Sequence, residues 1–283
     1  MEGEAPTWTI GPHRPSFLRQ APDIWLRRRL LGFFMRRAIV DLYAQTILGV
    51  AWVIIRPLIM VVGATLVVGS VLGVSTHPVP ILLFTLTSFS AWMVFERGLV
   101  YGTKSIVRNR NILKQFYFPR VIMHVATIGP ALVEGGVVLI CALVAAGYFA
   151  FIAGTWDLHI GWYSLLVVPS VVLLLLLMLG LSMVTSVLNS YARDTQYSIR
   201  YFSSALLLTT PVFYPVAAVP EKWHVVMWLN PLTPMLEMFR WAMFHVHEPR
   251  WEFVALAVGT TLLTFAFGLW VFIKWEASAL DAR

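Results

Sequence analysis

The sequence predicts an all-α integral membrane protein of six transmembrane helices, preceded by an amphipathic helix along the membrane interface. Three observations carry this reading. Hydrophobic residues fill 59% of the 283 positions and charged residues only 12%, whereas about a quarter of a soluble domain is charged. Long apolar runs recur, and roughly 20 helical residues suffice to cross a bilayer core of about 30 Å. The basic residues, finally, sit in alternate connections rather than being spread evenly.

The runs define spans at residues 47–72, 79–95, 121–152, 163–188, 199–212 and 253–273. The fifth is short for a crossing, because Pro211 interrupts it, and the apolar stretch after it is again broken by Pro215, Pro220, Pro231 and Pro234. Backbone that leaves helical geometry at membrane depth must be shielded by protein or line a wet cavity. Residues 213–245 therefore read as re-entrant, with a structured loop lying on the bilayer as the plainer alternative. The division that follows is a cytoplasmic arm over residues 1–46 and a transmembrane domain over 47–283.

Orientation comes from Lys and Arg. Seventeen basic residues fall in the N-terminal arm, the second-to-third connection, the fourth-to-fifth connection and the C-terminus, against three (Lys222, Arg240, Arg250) on the other side. Both termini are thus expected in the cytoplasm. The arm has no secretory signal, since the longest apolar stretch between its arginines is too short for one. Within it, Leu31, Met35, Ala38 or Ile39, and Leu42 recur at helical steps among arginines, the pattern of an interfacial helix. Cys141 has no second cysteine with which to form a disulfide.

Between the second and third spans, residues 104–120 alternate Lys104, Arg108, Arg110, Lys114 and Arg120 with Ile106, Ile112, Leu113, Phe116 and Phe118. Such a segment either presses against the membrane or inserts apolar anchors into a groove of a soluble partner.

Five stretches then resemble one family. They are the run from Asp41 through Gln45 and Gly49 to Trp52; Asn111-Ile112-Leu113-Lys114-Gln115-Phe116-Tyr117-Phe118-Pro119-Arg120; the turn Tyr191-Ala192-Arg193-Asp194; Ser204 onward into Pro211-Val212-Phe213-Tyr214-Pro215; and Leu229-Asn230-Pro231-Leu232-Thr233-Pro234 with Phe239-Arg240-Trp241. Together, in this order, they are similar to the permease subunit of ABC-2 polysaccharide exporters of the O-antigen, teichoic acid and galactan type. The resemblance implies a homodimer in the bacterial inner membrane, two cytoplasmic ABC ATPase subunits that bind the ATP and Mg, and a polyprenyl-pyrophosphate-linked glycan as cargo. It implies that Asn111, Ile112, Leu113, Lys114, Phe116, Tyr117 and Phe118 form a coupling helix docking on the ATPase. It also implies periplasmic gate helices carrying Phe213, Tyr214, Trp223, Trp228 and Trp241. The extended N-terminus looks most similar to versions that carry a cell-wall galactan. Arg56, before Pro57, departs from the neutral residue usual at that position.

No nucleotide site is expected in this chain, because Gly102-Thr103-Lys104-Ser105 lacks the glycine adjacent to the lysine that lets backbone amides cradle phosphates. Arg56 and Glu134 fall inside spans, where a charge costs at least about 2.5 kcal/mol on insertion scales. Arg56 reads either as lining a path for an anionic pyrophosphate or as a snorkelling or paired residue, and Glu134 as structurally paired. Phe89, Trp92 and Phe95 recur every three residues on the second span, as a stacking surface for sugar rings or as interfacial aromatics. His245, His247 and Glu248 carry ligand-type atoms but too few for a metal site. Glu221, Glu237 and Glu252 show no acid-base partner in the sequence, which argues against a membrane-embedded glycan-modifying enzyme. A drug or lipid exporter of the same architecture remains the other alternative.

Overall fold

The computed structural model describes residues 28–43, 51–115, 119–154 and 161–281. All regular structure among them is helical. Helix α1 is Arg28–Tyr43; α2, Ala51–Thr65, runs on into a π-helical turn, Leu66–Val71; α3 is Ile81–Thr103. Two short helices follow, α4 (Ser105–Arg108) and α5 (Arg110–Gln115), then α6 (Val121–Ala126) and α7 (Ile128–Ala153). A 3-10 turn, Trp162–Leu166, leads into α8 (Val167–Tyr191), followed by α9 (Thr195–Thr209), α10 (His224–Leu229), α11 (Leu232–Phe244) and α12 (Trp251–Asp281).

Among the described residues four stretches are long and apolar enough to cross a membrane: Ala51–Val71, Val121–Ile152, Trp162–Tyr191 and Trp251–Glu276. They match the first, third, fourth and sixth expected spans, although residues 47–50 of the first lie outside the described residues. Their outward faces are greasy, with Phe151, Val144 and Leu263 largely exposed.

The other two expected spans are built differently. Helix α3 runs on past Phe95 to Thr103, and most of its residues are buried, Thr85, Thr87, Ser88 and Ser90 among them. It is the central helix, packed against α2, α7, α8, α9 and α11. A helix that sees protein on all sides needs no uniformly apolar surface, and two of these four hydroxyls are bonded, whereas those of Thr85 and Thr87 have no hydrogen-bond partner among the described residues. Ser88 Oγ donates to the Phe84 carbonyl at 2.8 Å and Ser90 Oγ to the Thr87 carbonyl at 2.7 Å. Helix α9 has 15 residues, about 22 Å of rise, which falls short of the bilayer core. It ends before Pro211, which has no N–H to continue the ladder. Asn230 Nδ2 closes the break by donating to Thr210 Oγ1 at 2.9 Å.

Small residues set the helix spacing. A Cβ on Gly268 of α12 would lie 2.1 Å from the Gly180 carbonyl oxygen of α8, and one on Gly102 of α3 would lie 2.4 Å from Ser182 Cβ of α8. With no hydrophobic drive between helices in lipid, such backbone approach supplies the packing attraction.

The bundle has two distinct ends. At the basic end, α1 packs on α6 and α7, anchored by Phe34, its most buried apolar residue. The expected stripe omitted Phe34; Met35 does pack there, against Gly129, and the Leu42 side chain lies outside the described residues. His124 is fully buried, its Nε2 lying 3.1 Å from Ser105 Oγ and 2.8 Å from Ser186 Oγ, with Phe272 edge-on at 4.6 Å. It thereby joins α4, α6, α8 and α12. The opposite, broken end holds the stretch from Pro211 to α11. There two 3-10 turns, Val216–Ala218 and Glu221–Trp223, and α10 precede α11, whose residues are nearly all buried.

Candidate functional site

Helix α3 organises two cavities stacked along its length. Phe84, Ser88, Trp92 and Glu96 follow at four-residue steps and so share one face. From Phe84 to Glu96 that face rises about 18 Å.

The lower cavity, about 230 Å3, lies among α2, α3 and α9 and is lined by Arg56, Phe89, Trp92, Glu96, Arg97 and Ser203, among others. Three of the four residues expected on a path, Arg56, Phe89 and Trp92, thus meet here. Phe95 does not: it is fully buried, with its ring 5.7 Å from that of Trp92. Arg56 is exposed, its guanidinium 5.1 Å from the Trp52 ring centre. A smaller neighbouring cavity of about 90 Å3 connects Arg56 and Arg97 with Tyr101 and Glu134. Arg97 Nε lies 3.1 Å from Glu96 Oε2 and 3.0 Å from Glu134 Oε2, and the Tyr101 hydroxyl donates to Glu134 Oε1. Glu134 is therefore paired, as expected. Just beyond α3, the Lys104 ammonium is held below its ordinary value, by partial burial first and then by the Arg200 and Arg108 charges.

Above the lower cavity the face of α3 is closed. Phe89 stacks on Phe213 with ring centres 5.7 Å apart. Beside this stack, Arg240 of α11 donates to Ser88 Oγ at 2.9 Å, to the Pro211 carbonyl at 2.8 Å and to Glu237 Oε1, and its guanidinium lies 4.5 Å from the Phe84 ring centre. Arg240 is only 4% exposed. Glu237 is ion-paired with Arg240 because three residues along a helix bring the two charges onto one face. That spacing was the available signal. Beyond Arg240 opens the upper cavity, about 440 Å3, bounded by the 75–79 loop, α11 and the turns after Pro211.

The remaining expected gate residues surround this upper part. Trp228 is buried, stacked on Phe253 at 5.3 Å with the Arg250 guanidinium 5.5 Å from its ring centre. Trp241 is buried among Tyr163 at 4.7 Å, His245 at 5.1 Å and Trp251 at 5.8 Å. The Tyr214 hydroxyl donates to the Leu208 carbonyl at 2.6 Å, and Trp223 is exposed beside Lys222. His245 and His247 both adopt positive φ, and His245 caps α11 through its N–H to the Trp241 carbonyl at 2.8 Å. Among the described residues no three His, Cys, Asp or Glu come together as a metal site.

At the basic end, Leu113 is buried in the core shared with Ile106, Val121 and Phe272, while Asn111 and Lys114 are exposed and Ile112 is half-buried. Leu113 anchors α5 and presents its polar residues outward. Phe116, Tyr117 and Phe118 lie outside the described residues.

Residues 29–244 match the family model described as "ABC-2 type transporter". The chain belongs to the ABC-2 type transporter family. It is the membrane subunit of a transporter and works with an ABC ATPase. Among curated proteins it is similar to the O-antigen export system permease protein RfbA of Klebsiella pneumoniae, 24% identical over 233 residues covering 82% of this chain and 86% of the relative. It is also similar to the protein of the same name from Myxococcus xanthus, 22% identical over 253 residues covering 88% and 94%. In this chain Arg240 and Phe84 line the upper cavity and Phe89, stacked on Phe213, lines the lower one.

Proposed function

We propose that this chain is the permease of an ATP-driven polysaccharide exporter. It acts as a homodimer in the bacterial inner membrane with both termini cytoplasmic, alongside two ATPase subunits that bind the ATP and Mg. Its cargo is a polyprenyl-pyrophosphate-linked glycan, of the cell-wall galactan or O-antigen type. The observation that carries this reading is the likeness to O-antigen export permeases over most of both chains.

The geometry supports a mechanical role for each end. Helix α5, held by Leu113, exposes Asn111 and Lys114 to the ATPase. ATPase closure pushes on this segment, and His124 links the adjoining α4 to α8 and α12. Arg56, exposed at the lower cavity beside Trp92 and Phe89, attracts the pyrophosphate, and the aromatic walls face sugar rings. The residues from Phe213 to Trp241 then form the periplasmic gate.

The test is reconstitution of the chain with its ATPase in proteoliposomes loaded with lipid-linked glycan. ATP should drive the glycan to the opposite face, and Trp92→Ala and Arg56→Gln should slow it. Transport of drugs or free lipids without glycan would overturn the reading in favour of another ABC-2 cargo. Glycosyl transfer by the isolated chain would overturn it in favour of an enzyme.

A further inference from the structure

We infer that the 440 Å3 cavity at the broken end is a binding subsite for one sugar ring of the glycan, occupied after the ring has passed Arg240. The identity of the occupant rests on the polysaccharide reading above; the site itself rests on its own walls.

Its volume lies in the range of small-molecule pockets, roughly 300–1,000 Å3, so it holds a ring with its substituents. Two carboxylates, Glu237 and Glu248, and two guanidinium groups, Arg240 and Arg250, line it. The paired signs leave its walls without a net charge from these groups, which suits a neutral polyol and disfavours a phosphate or anionic headgroup, whose charge would meet Glu237. At the lower cavity the balance differs, with Arg56 and Arg97 outnumbering Glu96.

The hydrogen-bonding capacity fits as well. Arg240 makes three hydrogen bonds, fewer than the donors a guanidinium carries. Glu237, which lines the cavity, receives Arg240 through Oε1, so its second carboxylate oxygen remains a further acceptor. A ring hydroxyl both donates and accepts, so vicinal hydroxyls satisfy the Glu237 carboxylate and the spare Arg240 donors together. Thr76 and Val79 on one wall and Val216 and Phe244 on another supply the apolar surface that the C–H face of a sugar needs.

The experiment uses the full chain with its ATPase in lipid nanodiscs, which expose both faces, and reads saturation-transfer NMR on methyl β-galactoside and a galactose disaccharide without nucleotide. The expected result is saturable binding with a dissociation constant in the millimolar range, undisturbed by inorganic phosphate. Ala217→Trp, at an exposed position on the cavity wall, fills the space and should weaken binding at least tenfold; Glu237→Gln should do the same. The Ala217 variant keeps the test decisive if Glu237→Gln fails to fold. Binding equal to wild type in the Ala217 variant, displacement by phosphate, or no saturable binding of either sugar overturns the proposal. Saturable sugar binding in a protein that moves no glycan in proteoliposomes would sink the exporter reading and leave the site standing.

Discussion

Helix α3 meets an ion cluster at each end, and the two are built for different duties. At the broken end Arg240 is almost wholly buried, bonded to Ser88, the Pro211 carbonyl and Glu237 and lying against Phe84. At the basic end the Arg97 side chain is 29% exposed and Glu134 10%, and Arg56 beside them lies against Trp52, with no ion pair to a carboxylate among the described residues. Burying a charge is tolerable only when it is paired and hydrogen-bonded throughout. The upper cluster comes near that condition, with three Arg240 hydrogen bonds and Glu237 as its counter-ion. The lower cluster keeps contact with a cavity that Arg56 also lines.

The sharpest way to break the comparison is to remove one partner from the buried cluster. Arg240→Met leaves Glu237 without its cation and frees the Pro211 carbonyl, a loss of about 3–5 kcal/mol for a buried pair. Purified in detergent or nanodiscs, this variant should unfold far below wild type. Arg240→Met with Glu237→Leu should recover most of the difference, because two apolar side chains replace a matched pair. If the double variant unfolds as early as the single one, the pair is not the reason for the loss.

Glu134→Gln probes the other end and should cost less, about 1–2 kcal/mol, the scale of a charge-assisted hydrogen bond with partial solvent access. Gln keeps an acceptor for Tyr101, and Arg97 retains Glu96. A cost equal to that of Arg240→Met would erase the distinction between the two clusters. Arg56→Gln should leave the unfolding midpoint unchanged while lowering glycan transport, since its side chain is exposed and pairs with no carboxylate among the described residues. A fall in stability without a fall in transport would make Arg56 a structural residue.

The sequence exposed whatever depends on local periodicity and left hidden whatever depends on the partner helix. Residues 121–152 and 163–188 were legible because lipid-facing helices must be apolar over a fixed length. Helix α3 was cut short at Phe95, since Glu96 and Arg97 look like the end of an apolar run until Glu134 of α7 is seen beside them. Its serines and threonines likewise make sense only once α3 is known to be central. The stripe of Phe89, Trp92 and Phe95 was divided by rotation about the helix: the first two reach the lower cavity and the third points into the core. Arg240 was counted as an external loop charge because hydropathy carries no depth. In α1 the pattern showed the helix but missed Phe34, because arginines on both sides blur a single apolar anchor.

The smallest expected effect concerns the tie between α1 and the connection that follows α3. Asp41 lies 3.3 Å from Arg108 and 3.6 Å from Arg37, with all three side chains about 40% exposed. Exposed pairs contribute from roughly zero to 1 kcal/mol and are screened by salt. Asp41→Asn should therefore shift stability by less than about 1 kcal/mol, and the shift should shrink as salt rises from 0.05 to about 0.5 M. Phe34→Ala, by contrast, removes the buried anchor of the same helix and should cost about 3 kcal/mol. Should Asp41→Asn prove the more damaging of the two, α1 would be held by charge rather than by packing, and the basic end would resemble the broken end in its reliance on an ion pair.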